Sequence, residues 1–326
     1  MIRVIRCHPN RFDALVDFVA AYNPLPEHHI GYFGLTPADI RQELRHFSLR
    51  FDRATSIAVE GGRIVGAFGA DVDAEIGRAW LFGPLVAAQG AAERAAEPWA
   101  TTADALYAAV AARLPAAVRE HQMFVDSRNV RAAAFAGRHG FAPAGEWAIY
   151  FLPAGRLDAL PAAEAQPWDA RYNDQLDALH NRLFPSSNYT LGYILREWAE
   201  RGAILLVAAE GDTLHGYFFG RVEAETGEAT VDLVGVDETR RRAGLGRRLM
   251  LAGLARMRGA PGLRQVNLSV AAANTPARTL YEDLGFLWER DMAAYQRALI
   301  SGPLTSGPLI SGSLTSANKR RMHDDR

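Results

Sequence analysis

Two glycines among a run of arginines mark the place where this sequence could do chemistry. The stretch Val234–Met250 reads VGVDETRRRAGLGRRLM, so Arg241, Arg242 and Arg247 surround Ala243, Gly244, Leu245 and Gly246. The apolar run Val234, Gly235 and Val236 reads as the end of a buried strand, and the glycines then open a helix. A helix start presents unpaired backbone N–H groups and the positive end of its dipole. Glycine lets a ligand approach that backbone. With the flanking arginines this is a cradle for an anion such as a pyrophosphate. A P-loop needs Gly-Lys-Ser/Thr, but Gly246 is followed by Arg247. A dinucleotide fingerprint needs a third small residue where Leu249 stands. Taken alone, the pattern is equally a glycine-opened helix whose arginines are solvated.

A second stretch follows, Leu268–Phe286, reading LSVAAANTPARTLYEDLGF. It predicts a strand, a turn at Asn274, a helix with Pro276 in its first turn, and a stop at Gly285. The first pattern, R-x-x-G-x-G after a strand, resembles the pyrophosphate-binding signature of the GNAT acetyltransferase superfamily. Asn274, Ala277, Leu280, Tyr281, Gly285 and Phe286 resemble that family's second signature. The two occur in the family's order, and the resemblance covers most of residues 168–298.

The resemblance implies a fold and a set of roles. Acetyl-CoA would be the cosubstrate and no metal would be needed. The strand ending at Val236 would splay from its neighbour, Val266–Val270, and the pantetheine arm would enter the gap. Val234, Gly235 and Val236 would line it, with a backbone N–H near Val234 polarising the thioester carbonyl. Residues Arg241, Arg242, Ala243, Gly244, Leu245, Gly246 and Arg247 would hold the pyrophosphate. Asn274 would hold the arm, and Tyr281 would protonate the leaving thiolate. The plainer role for Tyr281 is a helix aromatic packed on the core. The loop 184–190 falls in the family's acceptor region, so Asn188 and Tyr189 are candidate acceptor contacts, or simply parts of a turn.

An amine acceptor must lose a proton before it attacks, and a carboxylate could take it. Asp232 sits in an otherwise apolar strand, and Glu228 begins that strand. Without a bulge, both share a face with Val234. Each is equally readable as a solvated or arginine-paired charge. His28 and His29 lack any metal-binding partner motif and read as a surface loop.

Elements repeat around these motifs. Helices at 10–22 and 37–47, the second capped by Thr36, precede strands at 56–60, 63–73 and 78–86, then a helix at 103–114, a strand at 121–126 and a helix at 130–139. The second half runs through helices at 174–184 and 191–201, strands at 204–209, 214–223 and 228–236, a helix at 244–258, a strand at 265–270, a helix at 276–284 and a strand at 292–297. Asn129, Gly140 and Phe141 recur as Asn274, Gly285 and Phe286, each 145 positions on. The expected class is α/β, with a mixed, largely antiparallel central sheet flanked by helices in two tandem domains. The boundaries read as a degenerate domain at 1–156, a linker at 157–167, an acyltransferase domain at 168–298 and a low-complexity disordered tail at 299–326. In the first half, 87–98 carries no R-x-x-G-x-G, and Tyr281 maps to Ala136. A weak first copy before a strong second one is similar in layout to mycothiol synthases, without implying their substrate.

The 326 residues suffice for two cores. A net charge of −1 argues against a nucleic-acid or membrane-surface binder. One cysteine, Cys7, leaves no internal disulfide. With no apolar run long enough to span a bilayer, a cytoplasmic protein is the expectation. The predicted function is transfer of an acetyl group from acetyl-CoA to a small-molecule or peptide amine. The competing prediction is a non-catalytic acyl-CoA-binding or sensing protein.

Overall fold

Gly77 and Gly227 turn the chain at matching points, with φ of 69° and 67°. Only glycine adopts this left-handed conformation cheaply. Each then offers its carbonyl to an arginine amide, Arg119 N to Gly77 O at 2.7 Å and Arg264 N to Gly227 O at 2.6 Å. The two turns start two copies of one arrangement. A computed structural model describes residues 1–87, 96–185, 187, 189–224 and 226–299.

The chain divides into two units. The first holds β1 (Arg3–Arg6), β2 (Thr55–Glu60), β3 (Arg63–Asp73), β4 (Arg78–Val86) and β5 (Glu120–Asp126). They are ordered as numbered, antiparallel except for the parallel pair β4 and β5. The second holds most of β6 (Ala142–Pro153), then β7 (Gln166–Pro167), β8 (Ile204–Glu210), β9 (Thr213–Glu223), β10 (Glu228–Val236) and β11 (Gln265–Ala271). Its order is β6-β11-β10-β9-β8-β7, with β10 and β11 the parallel pair. The last described strand is β12 (Leu287–Ala298). From Met292 it belongs to the first unit, where it pairs antiparallel with β5. This is the expected α/β class with a mainly antiparallel sheet.

Three expectations change. The contact boundaries fall at 145/146 and 291/292, not at 156 and 168. The cause is β6, a strand absent from the sequence reading, which pairs with β11 from Trp147↔Ala271 to Pro153↔Gln265. Pro143, Gly145 and Pro153 hide it, because proline and glycine count against a strand. The linker 157–167 is not free chain either: Leu157 is buried in the second unit's core, and Leu160, Ala163 and Ala165 pack on it. His28 and His29 are buried rather than on a surface loop, with His29 Nδ1 2.8 Å from Asn23 O. Of the predicted tail, 300–326 lies outside the described residues.

The second unit's core forms where helix Leu245–Arg258 presses its apolar face on the sheet. Gly253 allows that approach, since a Cβ there would collide with the Phe218 ring of β9. The helix axis, and with it the Arg241–Arg247 turn at its start, is therefore fixed by dense packing. Among the described residues no helix is long and apolar enough to cross a membrane, and no cluster of His, Cys, Asp or Glu is arranged to hold a metal.

Candidate functional site

β10 and β11 pair from Glu228↔Gln265 to Val231↔Leu268 and then part, although both strands continue. The cause lies on the other edge of β10. There Val231 faces Gly220 and Leu233 faces Phe219, which leaves Asp232 as an extra residue. Such a bulge bends its strand and re-aims the side chains around it. Beyond it opens a cleft of about 340 Å³. Val231–Val234 and Leu268–Ala271 form its walls, Tyr281 and Asn274 flank one side, and Leu183 and Phe184 flank the other. Unpaired strand edges at such a gap can take an extended ligand as an added strand.

At the far end of β10 stands the arginine-glycine turn. Asp237 starts the one-turn helix Glu238–Arg240, and Gly244 caps helix Leu245–Arg258 at φ 77°. Arg242 is the one non-glycine residue with positive φ among the described residues, at 64°. Such a conformation costs about 1–3 kcal/mol and persists where surroundings enforce it. Backbone N–H groups from Arg242 to Arg247 meet no acceptor among the described residues; the first helical bond is Arg248 N to Gly244 O at 3.0 Å. The turn is exposed, as are Arg242 and Arg247. Gly246 is the informative glycine. A Cβ there would meet only ordinary contacts, 3.7 Å to Leu280 and 3.8 Å to Val236. The fold has room for alanine, which is worth about 1 kcal/mol more than glycine within a helix. Packing does not account for the missing side chain. These residues fit a pyrophosphate, and Gly246 joins the turn to the end of β10 and to the helix bearing Tyr281.

Tyr281 lines the cleft, half-buried against Tyr150 and Phe286 at ring distances of 6.5 and 6.0 Å. Its hydroxyl makes no hydrogen bond to a described residue. Burial pushes the phenol up to about 12, so the hydroxyl keeps its proton at neutral pH. Behind it, Tyr150 donates to Glu282 at 2.6 Å and accepts from Arg278 at 3.1 Å. Asn274 caps helix Thr275–Asp283 by accepting from Ala277 N at 3.3 Å. Its remaining amide is exposed at the cleft.

Other predicted site residues are engaged in the fold. Asp232 lines the cleft, but its carboxylate is fully buried and accepts from Arg221 Nε at 2.8 Å and Nη2 at 2.7 Å. The bulge also breaks the shared face assumed for Glu228, Asp232 and Val234. Glu228 sits at the closed end of the strand pair, held by Asn267 Nδ2 at 3.2 Å and Arg264 at 3.8 Å, and is not part of the cleft. Tyr189 is buried and donates to Asp232 at 3.1 Å, so it does not face an acceptor. Asn188 lies outside the described residues. Gly235 serves packing, because a Cβ would strike Tyr217 at 2.8 Å and Leu183 at 2.9 Å. The sequence reading missed Arg221. Its signal was present, a cation inside the apolar run of β9, the same irregularity that singled out Asp232.

The first unit has the same strand pair with a different outcome. β4 and β5 pair from Arg78↔Glu120 to Trp80↔Gln122 and then part. There the chain's own segment fills the gap: Ile30 bridges Val125, Gly31 N donates to Phe124 O at 2.8 Å, and Asp126 N donates to His29 O at 3.2 Å. Gly31 is required, since a Cβ would stand 2.5 Å from Phe124 and from Met292. Phe82, in the place of Asp232 when counted from the matching glycines, packs on Tyr32, Phe33 and Phe47.

Comparison with known proteins finds partial relatives and shared folds. The Acetyltransferase (GNAT) family profile matches residues 171–286. A mycothiol acetyltransferase from Thermobispora bispora is 44% identical over 101 residues, 29% of this chain and 34% of that one. Another, from Clavibacter michiganensis, is 36% identical over 152 residues, covering 45% and 47%. The chain thus spans a third to a half of the length of these relatives. The crystal structure of a GCN5-related N-acetyltransferase from Sphaerobacter thermophilus superposes with a TM-score of 0.62 at 15% identity, over 92% of this chain and 96% of that one. A tandem GNAT protein from the clavulanic acid biosynthesis pathway gives 0.56 at 18% identity, over 93% and 99%. At such identities these two structures show the fold, a tandem arrangement of the same kind.

Proposed function

We propose that this chain, whose residues 171–286 match the GNAT acetyltransferase family, transfers an acetyl group from acetyl-CoA to an amine at a single site in its second unit. One observation carries the reading: the β10/β11 gap is lined by Tyr281 and Asn274, and the same strand β10 leads on to the exposed amide turn Arg242–Arg247, whose Gly246 lies beside Val236 and Leu280. Arg242–Arg247 bind the pyrophosphate through backbone N–H groups. The splayed strand edges take the pantetheine arm, with Asn274 beside it. A backbone N–H near Val234 stabilises the developing oxyanion. The amine attacks the thioester carbon as its free base and forms the C–N bond, its nitrogen then releases a proton to solvent, the C–S bond breaks, and Tyr281 gives its proton to the leaving sulfur and regains one from solvent. For this chain we propose a small-molecule amine as the acceptor.

Purified protein is tested for thiol release from acetyl-CoA with pooled amines. The reading requires amine-dependent release and a matching acetylated product. A second reading, a protein that binds acyl-CoA without turning it over, draws on the burial of Asp232 and the displacement of Glu228. Tight acetyl-CoA binding with no release on any amine selects it.

A further inference from the structure

Arg221 is among the most deeply buried large side chains of the molecule, and an acetyl transfer does not use it. It rises from β9 opposite Thr230 and grips Asp232 with two hydrogen bonds. The side chains are 2% and 0% exposed. Burial opposes the guanidinium charge, and the Asp232 carboxylate more than offsets that, holding Arg221 well above its ordinary value. A hydrophobic pair of similar volume is often at least as stable as a buried ion pair. The first unit fills the same place with Phe82 and its aromatic neighbours. Stability alone therefore does not call for these charges in the second unit.

Their position does. Asp232 is the bulge residue, and pairing between β10 and β11 ends one residue before it. The clamp reaches further through two tyrosines. Tyr189 donates to Asp232 and lies 3.4 Å from Arg221 Nη2, and Tyr193 OH lies 3.5 Å from Arg221 Nη1. Tyr189 lies two residues before helix Leu191–Arg201, and Phe184, Pro185 and Ser187 ahead of it line the cleft. Tyr193 stands in the first turn of helix Leu191–Arg201, where its N–H bonds the Thr190 cap.

We propose that the Arg221–Asp232 pair is a positioning device that fixes the bulge opening the donor gap and, through Tyr189, docks the acceptor-side loop against it. Asp232 accordingly takes no proton from the acceptor. This rests on the acetyltransferase reading above.

The test compares Tyr189→Phe with the double variant Arg221→Met, Asp232→Leu, which leaves no charge unpaired. Calorimetry uses acetyl-CoA and ADP; ADP carries the pyrophosphate but no arm for the gap. The double variant should bind acetyl-CoA about 10-fold more weakly, the cost of about one hydrogen bond, and bind ADP as the parent does. Tyr189→Phe should leave acetyl-CoA affinity intact and raise the acceptor KM by about 2- to 10-fold, with the pH profile of kcat unchanged in shape. Equal losses for acetyl-CoA and ADP overturn the proposal, as do unchanged values throughout. An acidic limb that disappears in the double variant would restore Asp232 as a base and overturn it too. If the double variant does not fold, the acceptor KM of Tyr189→Phe decides alone. A parent protein that binds acetyl-CoA no better than ADP removes the donor gap itself, and with it the acetyltransferase reading.

Discussion

The two units make the same opening and put different things in it. In the first, residues 29–31 pair with β5 where β4 leaves it, and a cluster of phenylalanines closes the end. In the second, the corresponding gap is a cleft. The caps alongside match closely: Asn129 has φ, ψ of −80°, 67° and Asn274 of −83°, 66°. The Asn129 amide, however, is buried near His29 O at 3.5 Å, while that of Asn274 is exposed. The scaffold has been kept and the opening filled. A parting strand pair is thus a structural given of this architecture, and what occupies it decides whether a unit can hold a donor.

The strongest test of this contrast is Tyr281→Phe, since the first unit has Ala136 at the matching place. It keeps the ring and removes the proton, so turnover should fall about 100- to 10,000-fold. Acetyl-CoA affinity should barely change, which separates a proton donor from a positioning group. The phenol is raised to about 12 from 10.0 by burial. Its stability contribution is therefore complete below pH 10 and lost as pH rises toward 12. Turnover in the parent should show no descending limb from Tyr281 below pH 10, and a fall there would assign the proton elsewhere.

Next in size, Arg221→Met strands the Asp232 carboxylate and should cost about 3–5 kcal/mol in urea unfolding. Phe82→Ala, at the first-unit position that matches Asp232, should lose a similar amount by opening a cavity. A small loss for Arg221→Met would show that the charges are not interlocked as described.

The two caps divide more finely. Replacing either asparagine with alanine should cost about 0.5–2 kcal/mol, with Asn129 the costlier because its amide is also buried and bonded. Equal losses would mean that the Asn274 amide is as engaged as that of Asn129.

The smallest stability change should come from Gly246→Ala. The added methyl has room, so unfolding free energy should hold or rise by up to about 1 kcal/mol, while acetyl-CoA binding weakens sharply. Calorimetry on the parent should give one site per chain. Two sites would mean that residues 29–31 yield their place to the donor.

Much of this was readable before any coordinates. Helical spacing, the Thr36 cap and the recurrence of Asn, Gly and Phe located most elements and the duplication, because these signals are local. The cradle was readable for the same reason: its chemistry belongs to consecutive backbone amides. The place of the carboxylates Asp232 and Glu228 was not. One extra residue in β10 turned the face of every side chain after it, and no composition signals a bulge. Arg221 and Asp232 are eleven residues apart but meet only across a strand pair. β6 was hidden by its prolines, and its partner β11 is far away in sequence.

The placement of β12 bears on how the molecule is made. From Met292 it completes the sheet of the first unit, whereas 146–291 is one continuous stretch. As synthesis proceeds from the N-terminus, β5 leaves the ribosome with no partner on that edge, and an unpaired edge invites aggregation. The second unit, 146–291, can close first. The filled unit, translated earlier, must wait for Met292–Ala298 before it is whole, so the half without the donor cleft finishes last.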